Sequence, residues 1–223
     1  MTDGMGEVVA RIVGAVPRGR RALVAIDGVG ASGKSALAAA LAQRIDARPV
    51  VVLHADDFFQ PAVVRHARGR LSPEGFWLET YDYATLTSWA LTPLRADGDG
   101  LYRGSSFDRA TGQTWRPAAV QAPHDALVLV EGTFLLRDEL VGFWDYSVFV
   151  DVPLEVMVRR MALRDGLDPD PEHGLMHRYV GAQRLYFARA VPWQRASLVV
   201  DNSAVDGPRI IDAASAAARV WPT

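Results

Sequence analysis

The stretch AIDGVGASGKSALAAAL, residues 25–41, places a glycine-rich loop between two segments of different character. The apolar run 22–26 in front of the loop is typical of a short buried strand. The segment 35–45 behind it is rich in alanine and leucine, which favour a helix. A strand, a glycine loop and a helix are therefore predicted to follow one another here.

This loop matches the pattern G-x-x-x-x-G-K-[ST], in which backbone amides surround phosphate oxygens and the helix N-terminus adds partial positive charge. Lys34 is the only lysine of a chain rich in arginine, as expected where a compact charge must fit a tight loop. We expect Lys34 to bridge the β- and γ-phosphates of a nucleotide in catalysis, and the Ser35 hydroxyl to bind Mg²⁺. The residues expected to contact the nucleotide are Gly28, Gly30, Ala31, Ser32, Gly33, Lys34, Ser35 and Ala36.

Composition excludes several other classes of protein. With 223 residues, 49% of them hydrophobic, the chain is expected to form one globular domain. Assembly of two such chains into a homodimer is compatible with this composition. A net charge of −2 argues against general binding to nucleic acids or membrane surfaces. Glu7 and Arg11 interrupt the N-terminal segment where a signal peptide would be apolar, so we expect a cytoplasmic protein. The absence of cysteine excludes disulfides and thiolate chemistry.

Strand-like runs alternate with helical patterns along most of the chain, which predicts an α/β fold with a parallel sheet and helices on both faces. The alternation stops between residues 60 and 124, which we interpret as an inserted lobe with a hairpin around RADGDGLYRG (95–104). The predicted strands after the first are 50–59, 126–132, 146–152 and 197–202, and the predicted helices include 8–16, a pair of lid helices within 153–190, and 208–220.

Two acidic residues follow predicted strands. Asp56 lies at the C-terminal end of the second predicted strand, and the carboxyl ends of parallel strands face the ligand crevice. Its carboxylate is suited to accept the proton of an acceptor hydroxyl during phosphoryl transfer, although an acid at this point also serves as an N-cap or a solvated loop residue. Glu131 follows the strand 126–130 and either positions Mg²⁺-bound water or caps the next turn.

Two arginines stand four residues apart in the predicted helix after Pro153. Arg160 and Arg164 therefore lie on one face, where a closing helix pair would bring them onto the phosphates, while Arg159 lies elsewhere. We expect both to act in catalysis by stabilising the transferred phosphate. A solvated helix face is the alternative.

Other nucleotide-binding classes fit less well. A switch GTPase needs an N-K-x-D motif and hence a second lysine, which the chain lacks. A motor or transporter ATPase is expected to carry "DE" after its Walker B strand. In this chain the strand 126–130 is followed by "EG" (131–132) instead.

Four segments in order resemble the branch of P-loop kinases that includes uridine kinase, phosphoribulokinase and a bacterial pantothenate kinase. They are IDGVGASGKS (26–35), HADDFF (54–59), EGTFLL (131–136) and VFVDVPLEVMVRRMALRD (148–165), and the resemblance covers most of the chain. It implies a P-loop NTPase fold with a five-stranded parallel sheet, ATP as donor, Mg²⁺, and a small molecule with a free primary hydroxyl as acceptor.

The resemblance also implies roles for single residues. Asp56 corresponds to the catalytic acid of the family, and Arg160 and Arg164 to its lid arginines. SSFDRATGQTWRP (105–117) is similar to the segment that contacts the nucleoside in uridine kinases, which makes Asp108 a candidate substrate ligand. Tyr102 and Arg103, on the predicted hairpin, are further candidates, as is Asp56 itself.

The resemblance to uridine kinases makes a nucleoside the leading acceptor. Pantothenate or a sugar remains an alternative, because the segment FWLETYDYATL (76–86) departs from the uridine kinase pattern. A nucleotide-binding ATPase that switches a partner is the alternative from another class. The size of the lobe after Asp56 favours transfer to a small molecule, since some 60 residues exceed a simple loop.

Overall fold

The computed structural model describes residues 3–204 and 206–221. Its centre is a six-stranded sheet whose strands run in the order β6-β5-β4-β1-β3-β2. Five strands are parallel, and β6 pairs antiparallel with β5. The predicted sheet is therefore confirmed with one strand more than the five expected. In chain order the strands are β1 (Ala22–Gly28), β2 (Val50–His54), β3 (Leu127–Gly132), β4 (Tyr146–Asp151), β5 (Leu198–Asp201) and β6 (Arg209–Ile211).

Six helical segments surround the sheet. They are α1 (Gly4–Ala15), α2 (Lys34–Arg44), α3 (Pro73–Glu79), α4 (residues 83–94), α5 (Leu154–Asp165) and α6 (Gly174–Ala190). Single helical turns occur at Ala62–Arg65 and Pro192–Arg195, and 3-10 turns at Ala55–Phe58, Val141–Phe143, Ala213–Ser215 and Ala217–Val220. Among the described residues, no helix combines the length and the apolar character needed to cross a bilayer.

Both faces of the sheet are covered, which explains why the central strands are continuously apolar. On one face α1 and α2 pack through Val8, Ile12 and Leu41 onto the sheet. On the other face α5, α6 and the inserted lobe form the larger core cluster. Gly181 on α6 allows the closest approach, because a Cβ there would lie 2.7 Å from the Pro73 ring at the start of α3. The lobe and α6 are therefore packed tightly together.

Helix α4 contains a π-helical turn, Thr87–Leu91, between two short α-helical pieces. Pro93 follows this turn and has no N–H to donate to the carbonyl of Trp89. The amide of Arg103 donates to this carbonyl instead, at 2.9 Å. The irregular helix is thus joined to the segment that leads into the rest of the lobe.

The predicted hairpin around residues 95–104 is wrong. Leu101–Tyr102 pairs with Val120–Gln121, about twenty residues along the chain, rather than with a strand before the turn. A short hairpin forms further on, where Phe107–Asp108 pairs with Gln113–Thr114. Residues 95–100 form the turn that ends α4, and Gly100 donates to the carbonyl of Pro93 at 2.9 Å.

The predicted C-terminal helix over residues 208–220 is also wrong, because this segment begins with β6. Without β6, β5 would be an edge strand with unpaired backbone groups. Ile210 and Ile211 are β-branched and favour the extended conformation that covers this edge.

The last described turns are short 3-10 turns whose position is fixed by a carboxylate. Asp151, at the end of β4, accepts hydrogen bonds from the amides of Ala217 and Ala218 at 2.6 and 3.0 Å. The alanine-rich composition that favours a helix is therefore overridden by tertiary contacts.

Candidate active site

The carboxyl edge of the sheet gathers the residues that the motifs single out. The glycine loop follows β1, the turn Ala55–Phe58 follows β2, and Glu131 lies near the end of β3. Because β3 lies between β1 and β2, its register pairs Glu131 with Ile26 on one side and His54 on the other. Ligands bind beyond this edge in open α/β sheets. The topology therefore brings the loop and both acidic residues to one crevice.

The glycine loop presents unpaired donors to this crevice. Gly33 has φ 94°, and a Cβ there would lie 2.3 Å from Nδ2 of Asn202. Within the described part of the chain, the amides of residues 33–36 have no backbone acceptor, as is usual in the first turn of a helix. The Ser32 hydroxyl is buried and likewise has no partner among the described residues. These donors form a cradle that fits a phosphate group.

Lys34 is buried beside the cradle. Its Nζ donates to the carbonyl oxygen of Val29 at 2.7 Å. Burial lowers the pKa of Lys34, and the charges of Glu131, Asp27 and Asp56 oppose this shift. A bound anion would offset the cost of burying the ammonium group. The lysine therefore also fits a phosphate ligand.

A hydrogen-bonded group of three side chains lies next to the lysine. The Ser35 hydroxyl donates to Oε1 of Glu131 at 3.0 Å, and Nδ1 of His54 lies 2.6 Å from the same oxygen. Burial raises the pKa of Glu131, but the hydrogen bonds from His54 and Ser35 and the charge of Lys34 outweigh it, so the pKa is lowered. The hydrogen bond to Glu131 raises the pKa of His54.

These oxygens suit Mg²⁺, which prefers hydroxyl, carboxylate, water and phosphate ligands. Ser35 would bind the ion directly and Glu131 through water. Within residues 3–204 and 206–221, no group of three or more His, Asp or Glu side chains is arranged to hold a metal alone.

Asp56 lies on the other side of the crevice, in the 3-10 turn after β2. The buried Tyr81 hydroxyl donates to its Oδ1 at 2.9 Å. Burial and the negative charge of Asp56 raise the pKa of Tyr81 well above its usual value, so the hydroxyl stays a donor. Arg109 approaches from the lobe, with Nη1 3.7 Å from Oδ2 of Asp56 and Nε 3.9 Å from Oδ1 of Asp57. The carboxylate is thus oriented by one hydrogen bond and partly exposed.

The two arginines of α5 occupy different surroundings. Arg160 donates to the carbonyl oxygens of Asn202 and Ser203, in the loop after β5, at 3.0 and 3.1 Å. Arg164 is exposed and forms a two-point ion pair with Asp165 at 2.7 and 2.8 Å. Both line the same cleft as the glycine loop. The Nδ2 group of Asn202 donates to Ser32 at 2.7 Å, so the loop that holds Arg160 also holds the glycine loop.

One cleft of about 680 Å³ is lined by the glycine loop, Asp56, Tyr81, Glu131 and the two arginines of α5. We call the part of its lining that is formed by the glycine loop, Glu131, Arg160 and Arg164 the phosphate side. We call the part that is formed by the segment after β2, the lobe and α6 the acceptor side. Its lining residues include Asp56, Phe59, Arg65, His66, Arg70, Phe76, Thr80, Tyr81, Arg178, Tyr179 and Gln183.

Helix α6 contributes to the core as well as to the cleft. Met176, Val180, Tyr186 and Phe187 are buried against the sheet and the lobe. The connecting residues 166–173 are largely exposed. Closure of the 153–190 segment stays a prediction, and residues 166–173 are the part of it that has few buried side chains.

Three predicted substrate ligands do not line this cleft. Tyr102 packs against the core of the lobe, and Arg103 donates to Pro117 at 3.0 Å beside the ring of Trp89. Asp108 accepts hydrogen bonds from the amides of Ala110 and Thr111 at 2.8 and 3.3 Å. These hydrogen bonds lower the pKa of Asp108.

Sequence reasoning missed most of the acceptor side. The neighbour of Asp108, Arg109, reaches the carboxylates of Asp56 and Asp57 instead. The hydrogen bond between Tyr81 and Asp56 joins residues 25 positions apart, so the sequence alone does not reveal it. Arg65 and Arg70 carried a signal that could have been used, since both follow Asp56 in a short basic segment.

A buried hydrogen-bond network supports the glycine loop from below. Asp27, the penultimate residue of β1, accepts hydrogen bonds from the Tyr186 hydroxyl and from the amides of Gly28 and Leu136, the latter two at 2.7 and 3.3 Å. Burial raises the pKa of Asp27. The strand before the loop is therefore tied to α6.

Comparison with known proteins supports the resemblance at the level of the fold. No protein-family model matches the chain, and no curated protein matches it in sequence. Among solved structures, a Bacillus stearothermophilus protein provisionally named a uridine kinase is 24% identical with a TM-score of 0.69, over 88% of this chain and 97% of that one.

Two further structures are similar. A Silicibacter sp. TM1040 protein provisionally named a fructose transport system kinase is 25% identical with a TM-score of 0.65, over 85% of this chain and 96% of that one. The YGR205w protein is 12% identical with a TM-score of 0.62, over 95% of this chain and 100% of that one. The chain therefore has the α/β fold of P-loop kinases similar to uridine kinase.

Proposed function

We propose that the chain is an ATP-dependent kinase that transfers the γ-phosphate of Mg·ATP to a hydroxyl of a small molecule. The observation that carries this proposal is that Lys34, Ser35 and Asp56 line one cleft. A phosphate cradle and a carboxylate that can accept a proton are the two parts that this reaction needs. The kinase names of two structural neighbours are consistent with it.

Each chain residue has a proposed task in the transfer. The amides of residues 33–36 and Lys34 hold the β- and γ-phosphates. Ser35, with Glu131 acting through water, would hold Mg²⁺, which would neutralise charge on the phosphates. The acceptor oxygen bonds to the γ-phosphorus as the bond between that phosphorus and the β,γ-bridging oxygen breaks, and ADP leaves.

Asp56 is proposed to receive the proton of the acceptor hydroxyl in this step. The Tyr81 hydrogen bond supports the role, because it occupies one carboxylate oxygen and orients the other. Nη1 of Arg109 lies 3.7 Å from Oδ2, the oxygen that does not accept from Tyr81. Arg160 and Arg164 are proposed to stabilise the charge of the transferred phosphate.

The class of acceptor is a separate matter. A nucleoside is the acceptor that the uridine kinase resemblance implies, and the rings of Phe59, Phe76 and Tyr179 in the cleft are suited to stack on a base. Pantothenate and sugars remain alternatives. An ATPase switch without an acceptor is the candidate from a different class.

The test is ADP release from Mg·ATP in a coupled assay. Nucleosides, sugars and pantothenate are added singly, with a no-acceptor reaction as control and Lys34→Ala as the blank. Strong stimulation by at least one acceptor, with the phosphorylated product identified by mass spectrometry, is the expected result. ADP release that is the same with and without every acceptor would contradict a small-molecule kinase.

A further inference from the structure

The cationic side chains of the cleft exceed what a nucleotide needs. The cleft is lined by one lysine, five arginines and two carboxylates, although the whole chain has a net charge of −2. Three of the cations, Lys34, Arg160 and Arg164, belong to the phosphate side. Arg65, Arg70 and Arg178 lie on the acceptor side, where the proposed function does not use them.

The two sets of cations have different neighbouring charges. After burial, the charges that act most on the pKa of Lys34 are those of Glu131, Asp27, Asp56 and Arg164. The charges that act most on the pKa of His66 are those of Arg178, Arg65 and Arg70.

The acceptor-side cations instead crowd one another. Burial lowers the pKa of His66, and the positive charges of Arg178, Arg65 and Arg70 lower it further. Burial also lowers the pKa of Arg178, and Arg65 and Arg70 contribute to this shift, whereas Tyr179 and Glu79 oppose it. Cations gathered in this way repel each other unless an anion lies among them. The cluster is thus energetically prepared for an anionic ligand.

Protein contacts hold the cluster but do not neutralise it. The buried Arg178 donates to the carbonyl oxygens of Arg70 and Arg65, the second at 3.4 Å, and so fixes the segment that carries both. Arg65 donates Nε to Gln60 at 2.7 Å and lies over the ring of Phe59. Among the described residues, none of these three arginines has a carboxylate within 4.0 Å.

Arg68 provides a contrast within the same segment. It pairs with Glu79 at 2.8 Å and with Glu74 at 3.5 Å. It is also absent from the residues that line the cleft. The arginine that faces away from the cleft is therefore neutralised, whereas those that face the cleft are not.

Two unpaired polar atoms indicate where the rest of the ligand lies. The side-chain oxygens of Gln183 and Thr80 are buried and have no hydrogen-bond partner among the described residues. Both residues line the acceptor side. Buried polar atoms usually have partners, so these two are suited to hydrogen-bond a ligand that carries hydroxyl groups.

The path from this cluster to the proposed base is short. The guanidinium carbon of Arg65 lies 5.0 Å from the centre of the Phe59 ring, and that ring lies 5.2 Å from the ring of Tyr81. The Tyr81 hydroxyl contacts Asp56. A small molecule can therefore reach from the cationic cluster, past the two rings, to Asp56.

We infer that the acceptor is an alcohol that also carries an anionic group, a carboxylate or a phosphate ester, and that Arg70 and Arg65 bind this group while the hydroxyl lies at Asp56. The inference rests on the proposed function and narrows its substrate class. Arg178 acts as a positioning residue, because its contacts with the other two arginines run through their backbone. A neutral nucleoside would leave the cluster unbalanced.

The first experiment compares neutral and anionic acceptors of similar carbon skeleton, each with a free primary hydroxyl. ADP release is measured with glycerol, glycerate and glycerol 3-phosphate, and with ribitol, ribonate and ribitol 5-phosphate, with uridine as the neutral nucleoside. The expected result is that kcat/KM for an anionic member exceeds that of its neutral counterpart by about 10- to 100-fold, as for hydrogen bonds to a charged group. The carboxylate and phosphate arms identify which anion is used.

Variants then locate the effect. Arg70→Gln is expected to raise the acceptor KM about tenfold or more with little change in the KM for ATP, and Arg70→Lys to restore part of the loss. Arg68→Gln is the matched control and is expected to leave both constants unchanged. Equal use of neutral and anionic acceptors, or an unchanged acceptor KM in Arg70→Gln, would overturn the inference.

A binding experiment separates this inference from the proposed function. The pKa of His66 is followed by NMR with the P-loop filled by a non-hydrolysable Mg·ATP analogue, before and after inorganic phosphate is added at constant ionic strength. Phosphate is expected to raise the His66 pKa in the native protein and not in Arg70→Gln. This result without any acceptor-dependent ADP release would keep the anion site and reject the kinase. Acceptor turnover without the His66 response would keep the kinase and reject the anion site.

Discussion

The phosphate side and the acceptor side of the cleft both present cations, yet they hold them differently. On the phosphate side Lys34 donates to Val29, Arg160 donates to Asn202 and Ser203, and Arg164 pairs with Asp165. On the acceptor side Arg70 has no side-chain partner recorded among the described residues. The cations of the phosphate side are therefore held by protein partners before a ligand binds. On the acceptor side, an anionic ligand would supply the partner that Arg70 lacks.

Lys34→Ala is expected to give the largest effect, because it removes the lysine of the phosphate side. Loss of the only ammonium group at the phosphates should lower kcat/KM on the order of 1000-fold, as for the removal of a group that stabilises transferred charge. Steady-state ADP release measures the effect. Circular dichroism and thermal unfolding serve as controls and should show an intact fold, since the substitution removes a buried charge.

Lys34→Arg sharpens the same prediction. If a compact charge is what the glycine loop requires, arginine should restore little of the activity. Activity near that of the native protein in either variant would contradict the proposed role of Lys34.

Asp56→Asn is expected to give the second-largest effect, because it removes the proposed proton acceptor. Loss of the proton acceptor should lower kcat about 100- to 10,000-fold and leave ATP binding unchanged. Asp57→Asn is the matched control, because Asp57 is adjacent but lacks the Tyr81 hydrogen bond. Calorimetric titration with an ATP analogue and steady-state kinetics separate the two quantities, and an unchanged kcat in Asp56→Asn would exclude a base at this position.

Arg164→Ala is expected to have a smaller effect on the phosphate side. Its ion pair with Asp165 must open before it reaches the phosphates, so we expect kcat to fall about 10- to 100-fold with a lesser change in ATP affinity. Arg159→Ala on the same helix is the control and should behave as the native protein. Equal losses in kcat and in ATP affinity would show that Arg164 binds the ground state as strongly as the transition state.

The smallest expected effect concerns the pH dependence of stability on the acceptor side. Burial and the neighbouring arginines lower the pKa of His66 in the folded state below its unfolded value of about 6.5. The unfolded chain therefore protonates His66 more readily, and the contribution of His66 to the stability of the native protein should fall as the pH falls through 6.5 toward the folded pKa.

His66→Gln removes this titration and is the reference. Urea unfolding at pH 7.5 and at pH 5 gives the free energy of unfolding of the native protein and of this variant. Relative to the variant, the native protein should have a lower free energy of unfolding at pH 5 than at pH 7.5. A difference that does not change with pH would show that the arginines do not act on His66.

The sequence reveals the parts of the site that are local in the chain, and it does not reveal the contacts that form between distant segments. The glycine loop is contiguous, so Gly33, Lys34 and Ser35 identify it by spacing alone. Asp56 and Glu131 were identifiable because each follows a strand, and the sheet order brings both to one edge. The hydrogen bonds between His54 and Glu131 and between Tyr81 and Asp56 depend on strand register and on the packing of the lobe.

The errors have the same physical origin. The segment 208–220 has a helical composition, but the open edge of β5 and the carboxylate of Asp151 decide its conformation. The partner of Leu101–Tyr102 lies about twenty residues away rather than across the nearest turn. Local propensity carries no information on either contact.

The hydrogen bond between Asp27 and Tyr186 joins the strand before the glycine loop to the helix that carries Arg178. Both groups are fully buried, so separating them would leave two polar groups without partners. Helix α6 therefore cannot detach while β1 stays folded without a large cost, and its amides should exchange with solvent water only through global unfolding. In thermodynamic terms the two binding sides form a single cooperative unit, and heating should abolish phosphate and acceptor binding in one transition.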